Sequence, residues 1–377
     1  MLGAGLQGTL LSLRGTLEGF PAPVTGAIMS CYYVGYLIGT RAAPRLLPQV
    51  GHVRVFAALA AIASAAVLVQ GMFVDPFPWG AMRLLSGVCF AGIYVVAESW
   101  LNDRASRDNR GRLLALYMLI LYVGLGSAQF LLTLANPRTS TPFMLVSLLI
   151  SLAMVPIVLS AHQVPSLALP TKVRYAELYR NSPLGVVAVA VSGLVSSIIF
   201  SMGPVYARLS GLSTDGVAAF MAVSILAAVA TQYPAGRLSD RVDRRTVIGG
   251  ACALATVVAA IAAFVPLPEE LILLLAALFS GFALTLYSLA VSHVNDKLEP
   301  AQMVGASSAL LLLNGSSAAL GPVLAGSLIA AFGPHAYFAT LAALTGLLTL
   351  YDVWRKSRRG PVPPQQKGPF ISAQPRA

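Results

Sequence analysis

Apolar runs of about twenty residues follow one another from residue 2 to residue 354, and no other feature constrains the chain as strongly. About twenty residues of helix, at ~1.5 Å rise each, cross the hydrocarbon core of a bilayer. A soluble domain could not hide this much apolar surface, since 57% of the 377 residues are hydrophobic and only 10% are charged. The pattern predicts an all-α polytopic membrane protein with twelve spans: 2–20, 22–43, 53–74, 78–101, 112–135, 141–161, 183–207, 214–235, 245–266, 269–294, 302–328 and 335–354. Breakers mark many of the edges, among them FPAP at 20–23, NP at 136–137 and FGP at 332–334.

The net charge of +11 does not point to nucleic acid, because the basic residues lie in the gaps and form no stripe interleaved with aromatics. Of the 25 Lys and Arg, all but Arg14, Arg83, Arg138 and Arg208 fall in the tail or in or beside the gaps that follow even-numbered spans. The positive-inside rule therefore puts those gaps and both termini in the cytoplasm. After Arg355, Lys356, Arg358 and Arg359 the tail is Pro-rich and polar, and is expected to be disordered. Cys31, Cys89 and Cys252 lie inside apolar runs without metal or redox spacing, so no cofactor or metal is expected. The first residues, MLGAGLQGTLLSL, lack the basic n-region of a signal peptide.

The chain repeats itself at an offset near 192. GFPAPVTGAIM at 19–29 lies over GLSTDGVAAFM at 211–221, and SG at 86–87 and ND at 102–103 fall near SG at 280–281 and ND at 295–296. Two six-span halves related by an axis along the membrane normal are a transporter architecture. The expected divisions are a first bundle at 1–161, a central cytoplasmic loop at 162–182, a second bundle at 183–354 and a tail at 355–377.

Between spans eight and nine stands GRLSDRVDRR, 236–245, with six charges in ten residues. With that motif the sequence resembles the major facilitator superfamily, which carries G-x-x-x-D-[RK]-x-G-[RK]-[RK] between spans two and three and often again between eight and nine. Gly236, Asp240, Arg241, Arg244 and Arg245 match, with Asp243 in place of the usual Gly. The first copy, PRLLPQVGHVR at 44–54, is degenerate: Pro48 and Gln49 replace Asp and Arg, while Gly51 and Arg54 remain. RLLSGVCFAG and YVVAESWLND on span four, NRGRLLALYM after it, and ALLLLNGSSAALGP on span eleven look like the YcaD-like bacterial branch. The resemblance implies the fold of two pseudo-symmetric six-helix bundles, and a cytoplasmic loop that latches helices and biases the outward-open state. On the residues alone that loop could equally serve only to set topology. For such a member the first span looks short at its cytoplasmic end, which leaves open whether Met1 is the natural start.

Charges inside spans are functional hypotheses. Arg83 resembles the span-four arginine that the family uses in proton coupling or substrate contact; alternatively it snorkels to the outer headgroups. Arg14 and Glu18, at i and i+4, can pair on one helix face at the rim, or Arg14 can join Arg83 in a cavity suited to an anion. Glu98 is the candidate proton carrier, or else an interfacial carboxylate bonded to Arg104 or Arg112. Tyr33, Tyr122, Gln129, Tyr206 and Asn314, with Gln7, Tyr36, Tyr94, Gln232 and Tyr287, are candidates to line a cavity. Span five carries Gly124 and Gly126 but lacks the Gly-Pro pattern of the family's drug antiporters.

No HExxH, P-loop or nucleophile elbow occurs, so the reading is not an enzyme. It is a secondary transporter in the cytoplasmic membrane, expected as a monomer. It would move a small organic molecule by alternating access, with proton coupling. The alternative is a sensor or assembly partner that binds without translocating, for which a long soluble loop would be the mark.

Overall fold

The computed structural model describes residues 1–104, 110–159 and 175–358. Among these the chain is helical, with no strand. The first half comprises α1 (Leu2–Leu17), α2 (Ala22–Val50), α3 (His52–Met72), α4 (Pro76–Arg104), α5 (Arg110–Ala128) continued by a 3-10 turn at Gln129–Leu134, and α6 (Thr141–Leu159). A short α7 (Tyr175–Asn181) precedes the second half. That half holds α8 (Pro183–Leu209), α9 (Thr214–Arg241), α10 (Arg244–Phe264), α11 (Glu269–Leu284) with α12 (Leu286–Asn295), α13 (Pro300–Ala318) with α14 (Gly321–Phe332), and α15 (Ala336–Lys356).

Ten rods are long and apolar enough to cross a membrane, counting α11–α12 and α13–α14 as one each. The breaks within those two pairs keep right-handed helical backbone, at Thr285 and at Ala319–Leu320, so each pair stays a single bent rod. The other two expected spans are α1, with only 16 residues, and α2, whose hydropathy is diluted by Tyr, Gly and Pro. Both pack within the bundle: Leu6, Leu10 and Leu13 of α1 and Met29, Tyr32 and Tyr36 of α2 are buried.

Two of the expected boundaries need correcting. Span two does not stop at residue 43, because α2 runs on through Pro44 and Pro48 to Val50. Each proline removes a backbone donor, but fully buried Leu47 anchors the extension. Span eight does not stop at residue 235 either, because α9 continues to Arg241 with Gly236 and Ser239 buried. Its last-turn Arg241 favours the negative end of the helix dipole. Of the expected central loop, residues 175–181 are helical, and the remainder up to 174 lies outside the described residues. The tail beyond residue 358 also lies outside them.

The repeat is visible in the packing. In the first half α2 packs on α4, and α3 on α6; in the second, α9 packs on α11, and α10 on α15. Gly19 and Gly211, 192 positions apart, turn the chain after α1 and α8 with φ of 81° and 93°, a region that side chains with a Cβ seldom adopt. Between the halves, α2 meets α14, α9 meets α5 and its 3-10 turn, and α1 meets α8. The rods therefore have a basic end, at the α2–α3, α4–α5, α9–α10 and α12–α13 connections and the end of α15, and a far end opposite.

The halves meet closely at the far end. A Cβ on Gly26 of α2 would collide with the carbonyl oxygen of Pro322 on α14, and one on Gly326 would meet that of Ala22. Ser12 Oγ of α1 donates to the Ser201 carbonyl of α8 at 2.7 Å. A leucine at position 26 must push α2 and α14 apart, at a cost of about 1–3 kcal/mol for overpacking. Gly26→Leu is expected to lower the melting temperature of the purified protein and to raise thiol labelling of a cysteine placed at Thr25. Unchanged melting and labelling would mean that the two helices do not touch there.

Candidate functional site: a central cavity and a basic-end clasp

A cavity lies between the halves, lined from the first half by α1, α2, α4 and α5 and from the second by α8 and α9. Its free volume is about 40 Å³, room for a few waters. The first-half wall carries Gln7, Thr9, Tyr32, Tyr33, Arg83 and Gln129. The second-half wall is mostly apolar, with Phe200, Ser201, Met221 and Ile225.

Small residues on α1 open this space, and apolar packing fixes the polar groups around it. Gln7 Nε2 donates to Gln70 Oε1 at 2.9 Å and to Ser86 Oγ at 3.3 Å, tying α1 to α3 and α4. Thr9 donates to Gln129 Oε1 at 2.7 Å, and Gln129 Nε2 donates to the Leu125 carbonyl at 2.9 Å, tying α1 to α5. Arg83, 5% exposed, lies seven residues into α4, about 10 Å along the helix from its start. Its guanidinium carbon stands 4.5 Å from the centroid of the Tyr32 ring. That cation–π contact is worth about 2 kcal/mol when desolvated. Arg83 Nε is buried without a hydrogen-bond partner, and no acidic side chain pairs with Arg83 among the described residues. The cavity thus carries a positive charge with no acidic partner among the described residues.

Arg83, Tyr33 and Gln129 are brought together at this cavity. Gln7, also a cavity candidate in the sequence, joins them, whereas Arg14, Glu98, Tyr122, Tyr206 and Asn314 stand elsewhere. Arg14 pairs with Glu18 at 2.8 Å and donates to the Pro137 carbonyl at 2.8 Å, at the far-end rim and outside the cavity lining. Glu98 is half-buried on α4, fifteen residues or about 22 Å along the helix from Arg83. Tyr122 is buried in the hydrophobic core on α5. Tyr206 stacks on Tyr337 with ring centroids 4.8 Å apart, beside a far-end recess of the second half. Asn314 binds the Val189 carbonyl at 3.1 Å and Ser192 Oγ at 3.0 Å, joining α13 to α8. Tyr32 and Gln70 shape the site without having stood out, because only the fold sets Tyr32 against Arg83 and Gln70 against Gln7.

The charged stretch at 236–245 is not the loop expected from the sequence. Gly236, Asp240 and exposed Arg241 belong to α9, and only Val242 and Asp243 lie between helices. Arg244, 1% exposed, pairs with Asp296 at 3.0 Å and with Asp240 at 3.1 Å, clasping the ends of α9, α10 and α12. Asp243 caps α10 by accepting from the Arg245 backbone at 3.0 Å, and its carboxylate pairs with the Arg245 guanidinium at 2.9 Å. Burial pushes the Asp243 carboxyl up, but the hydrogen bonds and charge of Arg245 outweigh it and hold it below its ordinary value of 3.8. The stability this gives is present above pH ~3.8 and is lost as pH falls through the lower folded value. The cap is therefore charged at every physiological pH. Among the described residues the degenerate first copy shows no such clasp: the turn at Gly51 lacks a side-chain cap, and His52 bonds Ser99 and stacks on Trp100.

Asp296 and Asp352 carry buried carboxylates that the sequence did not mark out. Asp296 is half of a repeated ND pair in the sequence, and Asp352, which pairs with Lys356 at 2.6 Å, sits where the tail charges begin. Removing one partner of a buried pair strands the other charge, at about 3–5 kcal/mol. Arg244→Ala is expected to destabilise the protein by that amount in thermal unfolding, and Arg244→Ala with Asp296→Ala to recover part of it. Asp240→Ala should cost far less, since its side chain is 44% exposed. A neutral Arg244→Ala would contradict the clasp.

The family model of the Major Facilitator Superfamily matches residues 1–268 and 186–375. The chain is 27% identical over 364 residues to the uncharacterized MFS-type transporter Ent638_1421 of Enterobacter sp. (strain 638), covering 96% of this chain and 94% of that one. It is 29% identical over 359 residues to the uncharacterized MFS-type transporter YcaD of Escherichia fergusonii, covering 93% and 91%. Among solved structures it superposes on the nucleoside transporter NupG with a TM-score of 0.73, at 12% identity, over 94% of this chain and 98% of that one. It also superposes on an inward-facing, unoccupied bacterial homologue of the human lysosomal transporter Spinster, with a TM-score of 0.68 at 14% identity over 94% of each chain. The structural matches speak for the fold, and the sequence match over the whole length for the kinship: this chain belongs to the Major Facilitator Superfamily of membrane transporters.

Proposed function

We propose that the chain is a secondary active transporter that moves a small organic molecule across the cytoplasmic membrane by alternating access. The observation that carries the reading is the cavity itself. It is walled by both halves, polar on one side, and lies beneath the far-end contacts of Gly26 with Pro322 and of Ser12 with Ser201. A ligand site at the interface of two repeats can change sides when the halves rock about it. With the basic end in the cytoplasm by the positive-inside rule, the far-end seal corresponds to a state closed to the outside. Release of the seal and closure of the basic end would give the opposite state. At about 40 Å³ the cavity is smaller than the roughly 300–1,000 Å³ usual for drug-sized ligands, so substrate entry requires the halves to part.

No nucleotide-binding motif occurs in the sequence, so an ion gradient or the substrate's own gradient must supply the drive. Glu98 is the proposed proton carrier, as a carboxylate partly withdrawn from water on the same helix as Arg83. The Arg244 clasp holds the second half together at its cytoplasmic end, and the protein works as a monomer.

Proteoliposomes loaded with a pH-sensitive dye test this reading when challenged with small organic acids, sugars and amines. The expected result is substrate-evoked proton movement in the wild-type protein, lost in Glu98→Gln while substrate exchange at equal concentrations survives. Undiminished proton movement in Glu98→Gln would remove Glu98 from the mechanism. Absence of both flux and exchange for every compound would favour a protein that binds without translocating.

A further inference from the structure

Two long polar side chains in the first-half wall of the cavity each keep an unsatisfied atom, and the two atoms are of opposite kind. Arg83 is a buried cation with no acidic partner among the described residues, and its Nε donor is unused. Gln7, fully buried, spends its Nε2 donor on Gln70 and Ser86, so its Oε1 acceptor has no partner. Both residues line the same cavity. Gln129, which lines it too, is committed to Thr9 and Leu125.

Buried polar groups cost free energy unless they are paired, and a buried charge costs most. An Arg fork matches a carboxylate in two-pronged geometry, whereas a lone carbonyl oxygen requires a donor. Across the cavity Phe200, Met221 and Ile225 present mostly apolar surface around Ser201, which suits a short hydrocarbon part and repels a second charge. We propose that the transported ligand is a small monocarboxylate carrying a hydrogen-bond donor, such as a hydroxyl, with the carboxylate on Arg83 and the donor on Gln7. This rests on the transporter reading and names the substrate class of that same site. The first half then holds the ligand's polar groups and the second half closes over its apolar part.

The test is binding of four small probes to the full-length purified protein by thermal stabilisation and calorimetry: lactate, propionate without the hydroxyl, methyl lactate without the charge, and choline with the opposite charge. Lactate is expected to bind best. Loss of a charged hydrogen-bonded contact predicts binding weaker by roughly tenfold or more for methyl lactate, and for lactate on Arg83→Ala. Arg83→Lys keeps the charge and should retain part of the affinity, which guards against misfolding of the alanine variant. In Gln7→Leu, lactate and propionate should bind alike. Three results would overturn the proposal: lactate no tighter than methyl lactate or choline, lactate binding unchanged in Arg83→Ala, or no binding of lactate at millimolar concentration. The transporter reading is judged separately, by the exchange assay, and survives if exchange of some other compound is seen.

Discussion

A backbone amide in hydrocarbon has no water to bond, and this constraint governs everything else in the structure. It makes each crossing segment a helix, whose amides are satisfied within the segment. The same shortage acts on side chains. Many buried polar groups here find partners on another helix: Gln7 with Gln70, Thr9 with Gln129, Ser64 with Ser147, Thr256 with Thr345, Asn314 with Ser192. Against that background the guanidinium of Arg83 on α4 stands out, with no acidic partner among the described residues. Arg83 is costly where it is, and it lines the central cavity.

The two halves share a plan and differ in how they use it. Packing of α2 on α4 is echoed by α9 on α11, and the turns at Gly19 and Gly211 are alike. Yet the first half keeps its polar groups at the cavity, while the second keeps its charges at the basic end, where Arg244 binds Asp240 and Asp296. The two halves thus differ at the cavity, whose polar lining comes mostly from the first, while the Arg244 clasp braces the basic end of the second.

Much of the architecture was legible in the sequence because lipid imposes it. Run length gave the rods, and FPAP and FGP gave far-end turns where the structure has them. Helix ends in water were less legible. Whether α2 continues past Pro44, or α9 past residue 235, depends on what buries Leu47 or Ser239, and no local signal carries that. The site was half legible. Arg83 stood out as a charge within a span, but its partnership with Tyr32 and its lack of an acidic partner among the described residues are facts of packing. Arg14 shows the converse. Its i+4 partner Glu18 could be read from spacing, whereas the Pro137 carbonyl that holds it at the rim is 123 residues away.

Alternating access about the central cavity makes one geometric demand, that the two ends of the molecule move in opposite senses. Spin-label pairs across the halves report this directly. One pair would be placed at Leu116 and Leu238, exposed near the basic ends of α5 and α9, and another at Phe73 and Phe264, exposed at the far ends of α3 and α10. Distances measured in nanodiscs, with and without a stabilising ligand or across a change in pH, should be anticorrelated: as the basic-end pair closes, the far-end pair opens. Two distances that stay fixed under every condition, or that lengthen together, would contradict a cavity that opens to each side in turn.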